Sequence, residues 1–164
     1  RSKQMSGFLA SMINPELVFT DLPCTDRQTF LQYISRRLEE KDYVKCSFEG
    51  AIIEREKKYP TGLPTVNQHV ALPHTDVQHA KNPIIVPVKF RTPVVFKEMG
   101  NGINDIPCNM AFVLVVTEPE KQIDILQSLI NLFIKKDFLE ELYKEKTREG
   151  FLKRLLDEAE KDEG

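Results

Sequence analysis

The run Met110-Ala111-Phe112-Val113-Leu114-Val115-Val116 limits what this chain can fold into more than any other stretch. It falls far short of the roughly 20 apolar residues that a membrane-spanning helix needs, so it must be buried inside protein. It also lacks the apolar/polar alternation of a half-buried strand. The expected strand, Asn109–Thr117, therefore has no face to give to water and needs cover on both sides.

The flanking sequence supplies that cover. Thr25 or Asp26 can cap a helix running to about Lys41, with Phe30, Ile34 and Leu38 along one face. A second helix is expected from Ser47, as a possible cap, to Pro60, with Phe48, Ala51 and Ile52 facing inward and Arg55 and Glu56 in its last turns. Strands are expected at Val66–Leu72 and Ile84–Phe90, the latter at an edge or bulge because Pro87 cannot donate to a ladder. Thr92–Pro107 reads as a short extended piece closing in a Gly/Asn-rich loop. Helices follow over Gln122–Lys135, with Ile123, Leu126, Leu129, Ile130 and Phe133 as its apolar positions, then Phe138–Lys146 and Arg148–Ala159. The fold class is α/β, a central mixed β-sheet flanked by α-helices in a single domain. Residues 1–11 are expected to be a flexible N-terminal segment, 12–159 the domain, and 160–164 a solvated tail.

The 164 residues suit one domain, and 41% hydrophobic with 29% charged residues is ordinary for a globular protein. A net charge of −2, with no clustered Lys and Arg, argues against nucleic-acid binding. The first residues have neither a sustained apolar core nor a cleavage site, so no signal peptide is read. Cys24, Cys46 and Cys108 are odd in number and widely spaced, which fits a reducing cytoplasm better than a disulfide framework.

Chemistry has to come from somewhere other than the standard motifs. No G-x-S-x-G elbow and no Walker-type phosphate loop occurs. His69, His74 and His79 lie at intervals of five, which a helix or strand turns to different faces, and Pro73 breaks regular structure between them, so a metal site is a weak reading. His74 follows Val70-Ala71-Leu72-Pro73, at what would be the end of a strand. Such a ring can be packing, a ligand, a general base or a nucleophile. As a nucleophile toward phosphorus it would need exposure, one fixed tautomer and donors for the phosphoryl oxygens, for which Arg55 is a candidate.

Arg55-Glu56, Thr61-Gly62 and Val70-Ala71-Leu72-Pro73-His74 together resemble the fructose/mannitol-type EIIA proteins of the bacterial sugar phosphotransferase system, from about Met12 to Leu156. Ala51–Leu63, AIIEREKKYPTGL, with the following VALPHTD, looks most like the galactitol-type branch. The resemblance implies a cytoplasmic phosphocarrier that needs no metal, nucleotide or other cofactor. It implies that the phosphoryl group passes from phospho-HPr to His74, at Nε2, and on to a cysteine of a cognate EIIB, with an EIIC permease served indirectly. Arg55 matches the family's active-site arginine, and Thr61 lies in the adjoining loop. Two departures stand out: Leu63–His69 replaces a glycine-rich turn, and Gln122 stands where relatives carry a second active-site histidine.

Two alternatives accompany the transport reading. One is a regulatory module phosphorylated at His74 that signals by binding a partner; the other is a binding domain whose histidine is structural. The carbohydrate itself, galactitol or another, is not readable, because a carrier of this kind touches only proteins.

Overall fold

A computed structural model describes residues 8–161. Residues 1–7 and 162–164, within the expected N-terminal segment and tail, lie outside the described residues. The elements are β1 (Phe19–Leu22), α1 (Arg27–Glu40), α2 (Phe48–Lys58), β2 (Gly62–Leu63), β3 (Val70–Ala71), β4 (Ile84–Lys97), β5 (Asp105–Val115), α3 (Pro119–Phe133), α4 (Phe138–Lys144) and α5 (Arg148–Glu160). The strands form one mixed five-stranded sheet in the order β1-β4-β5-β3-β2, which bears out the α/β class with a central mixed sheet.

β5 shows why the apolar run demanded cover on both sides. Ala111, Val113 and Val115 enter a core with Phe30, Ile34 and Leu38 of α1 and Phe48 and Ile52 of α2. The alternate residues Met110, Phe112 and Leu114 enter a second core with Leu129 and Phe133 of α3, Leu142 of α4 and Phe151 of α5. Successive strand side chains point to opposite faces, so a uniformly apolar strand fills two cores at once. Burial of each large side chain there contributes about 1.5–3 kcal/mol.

α1 starts as expected. Asp26 accepts from the Thr29 backbone N–H at 2.9 Å, and the apolar positions repeat at helical spacing. At α2, Ser47 precedes the first helical residue but does not cap it; its hydroxyl lies 2.8 Å from His79 Nδ1 instead.

Four expectations are corrected. Pro87 lies neither at an edge nor in a bulge, since β4 runs between β1 and β5. The Ile85 N–H donates to Met12 O on the β1 side, so Pro87, two residues on, turns its donorless nitrogen the same way, between the Ile13–Ile85 bridge and the first β1 pair at Val88. No bond to β5 is lost. β4 and β5 continue as a hairpin through Lys97 and Asp105, past a register shift between Lys89 and Val94, so most of Thr92–Pro107 is strand. β3 is only two residues long: the Thr65 hydroxyl donates to Gln68 O and closes a turn that leaves Val66 exposed. In α3, Ile123 is 74% exposed, because Ile125, Leu129, Leu132 and Phe133 set the buried stripe and a residue two positions earlier is rotated by about 200°. Ahead of β1, Leu9 and Met12 pack into the second core.

Gly62 shows how tightly β2 is held beside the hairpin. A Cβ there would lie 2.6 Å from Lys97 O, a backbone atom that cannot step aside. Gly62→Ala should therefore destabilise the protein by about 1–3 kcal/mol and lower its urea midpoint. An unchanged midpoint would show that the sheet yields at this point.

Candidate functional site

The site is built where β3 stops. Val70 and Ala71 pair in parallel with Met110 and Ala111 of β5 and antiparallel with Leu63 and Gly62 of β2. Beyond them the chain stays clamped from both sides. The Leu72 N–H lies 3.3 Å from Thr61 O and 3.2 Å from Thr61 Oγ1, and the Leu114 N–H donates to Pro73 O at 3.0 Å.

Leu72's own carbonyl is then free to hold the ring that follows. His74 Nδ1 lies 2.7 Å from Leu72 O. A carbonyl can only accept, so Nδ1 carries the proton and the lone pair resides on Nε2. The fixed tautomer expected of a nucleophile is thus present. The expected exposure is corrected: His74 is only 9% accessible, because Leu72 and Pro73 draw it into the end of the sheet. Burial pushes its pKa down and the Arg55 charge acts in the same direction, against the Leu72 bond and Asp76. The ring is therefore neutral at neutral pH, with its nucleophilic lone pair available.

Arg55 reaches this point from the last turn of α2. Its guanidinium carbon lies 4.8 Å from the centre of the Tyr59 ring, Nη1 is 3.1 Å from Asp76 Oδ1, and Nε is buried with no hydrogen-bond partner among the described residues. Gln122, in the first turn of α3, donates from Nε2 to Thr75 O at 2.8 Å. That bond uses one amide hydrogen and ties α3 to the residue after His74, leaving the second for another acceptor.

Thr61 is turned inward. Its hydroxyl and backbone N–H donate to the Glu56 carboxylate at 2.9 and 2.8 Å, while its oxygens receive the Leu72 N–H. Glu56 is 3% exposed, not a solvated helix charge, and burial raises its pKa from 4.5 to about 7 despite the Thr61 bonds. Sequence reasoning placed Glu56 next to Arg55 but gave it no task, although Phe48, Ile52 and Glu56 lie four residues apart and so share the buried face of α2. Asp76 was also missed, although it stands two residues after His74. The other histidines are elsewhere: His79 faces Ser47, and His69 is half-buried with an unpartnered Nδ1.

The sequence profile described as "Phosphoenolpyruvate-dependent sugar phosphotransferase system, EIIA 2" matches residues 11–158. The chain belongs to this family. It is 28% identical over 138 residues to the PTS system galactitol-specific EIIA component of Escherichia coli (strain K12), covering 82% of this chain and 91% of the relative. The EIIA 2 fold is shared with the nitrogen regulatory protein IIA-Ntr of Neisseria meningitidis (TM-score 0.72, 21% identity, 90% of this chain and 99% of that one). It is shared equally with the Escherichia coli complex of enzyme IIAMTL and phosphorylated enzyme IIBMTL (TM-score 0.72, 18% identity, 88% and 97%). EIIA components are phosphotransfer proteins, and the galactitol-like branch read from Ala51–Leu63 is borne out. No helix among the described residues is long and apolar enough to cross a membrane.

Glu56 makes the stability of this EIIA domain depend on pH in an unusual direction. The folded state holds the Glu56 proton more tightly than the unfolded chain, so its contribution is full below pH 4.5, falls as pH rises, and levels off above about 7. Glu56→Gln cannot ionise. Relative to the parent, it should gain roughly 3 kcal/mol across that window, since each pKa unit is worth about 1.4 kcal/mol. Urea unfolding of both proteins at several pH values isolates the effect, because the titration of His74 is common to both. A difference that stays flat with pH would show that Glu56 is not buried as an acid.

Proposed function

We propose that this EIIA domain accepts a phosphoryl group from phospho-HPr on Nε2 of His74 and passes it to a cysteine of a cognate EIIB. The group then drives uptake and phosphorylation of a carbohydrate through an EIIC permease, with galactitol the substrate suggested by the relative. A cytoplasmic location follows from that role. The observation that carries the reading is the 2.7 Å contact between His74 Nδ1 and Leu72 O, in a chain of this family.

The lone pair on Nε2 attacks phosphorus in line, and the bond from phosphorus to the donor breaks, its electron pair leaving with the donor. Leu72 O keeps the Nδ1 proton in place throughout and stabilises the positive charge that the ring gains. Arg55 supplies charge-assisted donors to the phosphoryl oxygens, and the free amide hydrogen of Gln122 adds a neutral one. Gln122 gains no charge near neutrality, so its contribution is constant with pH. Thr61 and Glu56 act one step back, by holding Leu72. The chemistry is exchange between two side chains, so alignment and charge stabilisation supply the catalysis.

Incubation with phosphoenolpyruvate, enzyme I and HPr should add one acid-labile, base-stable phosphate per chain, seen by mass spectrometry. His74→Ala should abolish it while His69→Ala and His79→Ala retain it, and a labelled His74→Ala protein would overturn the assignment. Transfer onward to EIIB tests transport against a purely regulatory role.

Arg55→Ala should slow transfer in both directions by about 100-fold, the scale of losing one charge-stabilising donor, with its unfolding transition kept. Arg55→Lys should recover only part of the rate, since an ammonium lacks the planar fork. Stopped transfer assays with rates equal to the parent would reduce Arg55 to a surface charge.

A further inference from the structure

Among the described residues, Asp76 is the one acidic side chain hydrogen-bonded to the site's guanidinium, and the transfer steps give it no task. Its Oδ1 lies 3.1 Å from Arg55 Nη1, a single contact from a carboxylate that is 64% exposed. It precedes the short helical turn Val77–His79 but makes no capping bond to it, so its side chain has no helical duty. Arg55 is held independently of it, by its helix and by the Tyr59 ring, and its Nε remains unpartnered among the described residues. A guanidinium can pair two-pronged with an anion, and here it does not. The arrangement therefore holds a half-satisfied cation, with an exposed, singly bonded anion two residues from His74.

The geometry points to Asp76 as an internal competitor for Arg55: a positioning residue whose carboxylate occupies the guanidinium when His74 is free and is displaced by the phosphoryl group when His74 carries it. The inference rests on the carrier reading. In the forward step the Nε2–phosphorus bond forms as the phosphorus–donor bond breaks, the donor keeping that bond's electron pair, and Arg55 exchanges Asp76 for phosphoryl oxygens. In the onward step the thiolate of EIIB attacks phosphorus, the Nε2–phosphorus bond breaks, and its electron pair returns to the ring. Asp76 then recovers Arg55. No proton needs to leave Nδ1 in either direction.

Such a competitor keeps the phosphoryl group loosely held. Every interaction that Arg55 offers phosphate is offset by the loss of its pair with Asp76, and the displaced carboxylate adds repulsion toward the incoming dianion. A carrier benefits from this, because an over-stabilised phosphohistidine would accept readily and donate slowly. Exposed ion pairs are weak, which suits a contact that must break on every cycle.

The test is the equilibrium of phosphoryl exchange with HPr, read as phosphorylated fractions by mass spectrometry, for the parent, Asp76→Asn, Asp76→Glu and each change in an Arg55→Ala background. Asp76→Asn should shift the exchange constant toward the phosphorylated EIIA domain about threefold, the scale of removing one exposed ion pair. It should also slow donation to EIIB. Asp76→Glu, which keeps the charge, should stay close to the parent. A merely structural residue would give losses, not this gain. In the Arg55→Ala background the gain should shrink to the part that repulsion alone supplies, as expected for two residues acting mainly through one contact. Asp76→Asn at or below the parent constant, or an undiminished gain without Arg55, overturns the competition. A parent that takes no phosphate on His74 overturns the carrier reading and this inference with it.

Discussion

Everything in this molecule is placed against β5, a strand buried on both faces and paired on both edges. It holds β4 along most of its length and gives β3 its register through Met110 and Ala111. Its backbone then reaches past the end of β3, where the Leu114 N–H takes Pro73 O at 3.0 Å. The position of His74 is thus inherited from the best-buried element of the fold. Backbone hydrogen bonds shielded from water are costly to break, so the end of β3 is stiff although the strand itself has only two residues.

On that stiff edge the groups around the histidine differ sharply in how firmly they are held. Leu72 is fixed by Thr61 on one side, Thr61 by the buried Glu56, and the His74 ring by Leu72 O. Those contacts lie in low dielectric and define geometry. Arg55 and Gln122 approach from helices on opposite faces of the sheet, each with donor capacity to spare. The Arg55–Asp76 pair is the exposed member of the set, and so the one that can exchange at little cost. Rigid positioning and replaceable charge are separated within a few residues.

Much of the architecture was legible because local physics and tertiary packing agree there. Asp26 had a helix to cap, Phe30, Ile34 and Leu38 had one face to bury, and the 110–116 run had no polar face at all. His74 could be singled out because Pro73, with its own φ locked, ends an apolar strand just before it, and the resemblance joined it to Arg55 and Gln122. The misreadings share a cause. Pro87 looks like an edge residue until β4 is seen to run between β1 and β5, with the proline's donorless nitrogen turned to the gap between two contacts, and Ile123 looks like core until the stripe of α3 is fixed by what it packs against.

The sequence by itself determined the helices, the doubly buried strand and the family, and it singled out His74, because periodicity, capping and short-range backbone restriction act over a few residues. Only the tertiary structure decided which nitrogen of His74 keeps its proton, that Glu56 is an interior acid bound to Thr61, and that Asp76 meets Arg55. Those facts depend on burial and on distances between residues far apart in the chain, and neither quantity exists until the two cores have closed over β5.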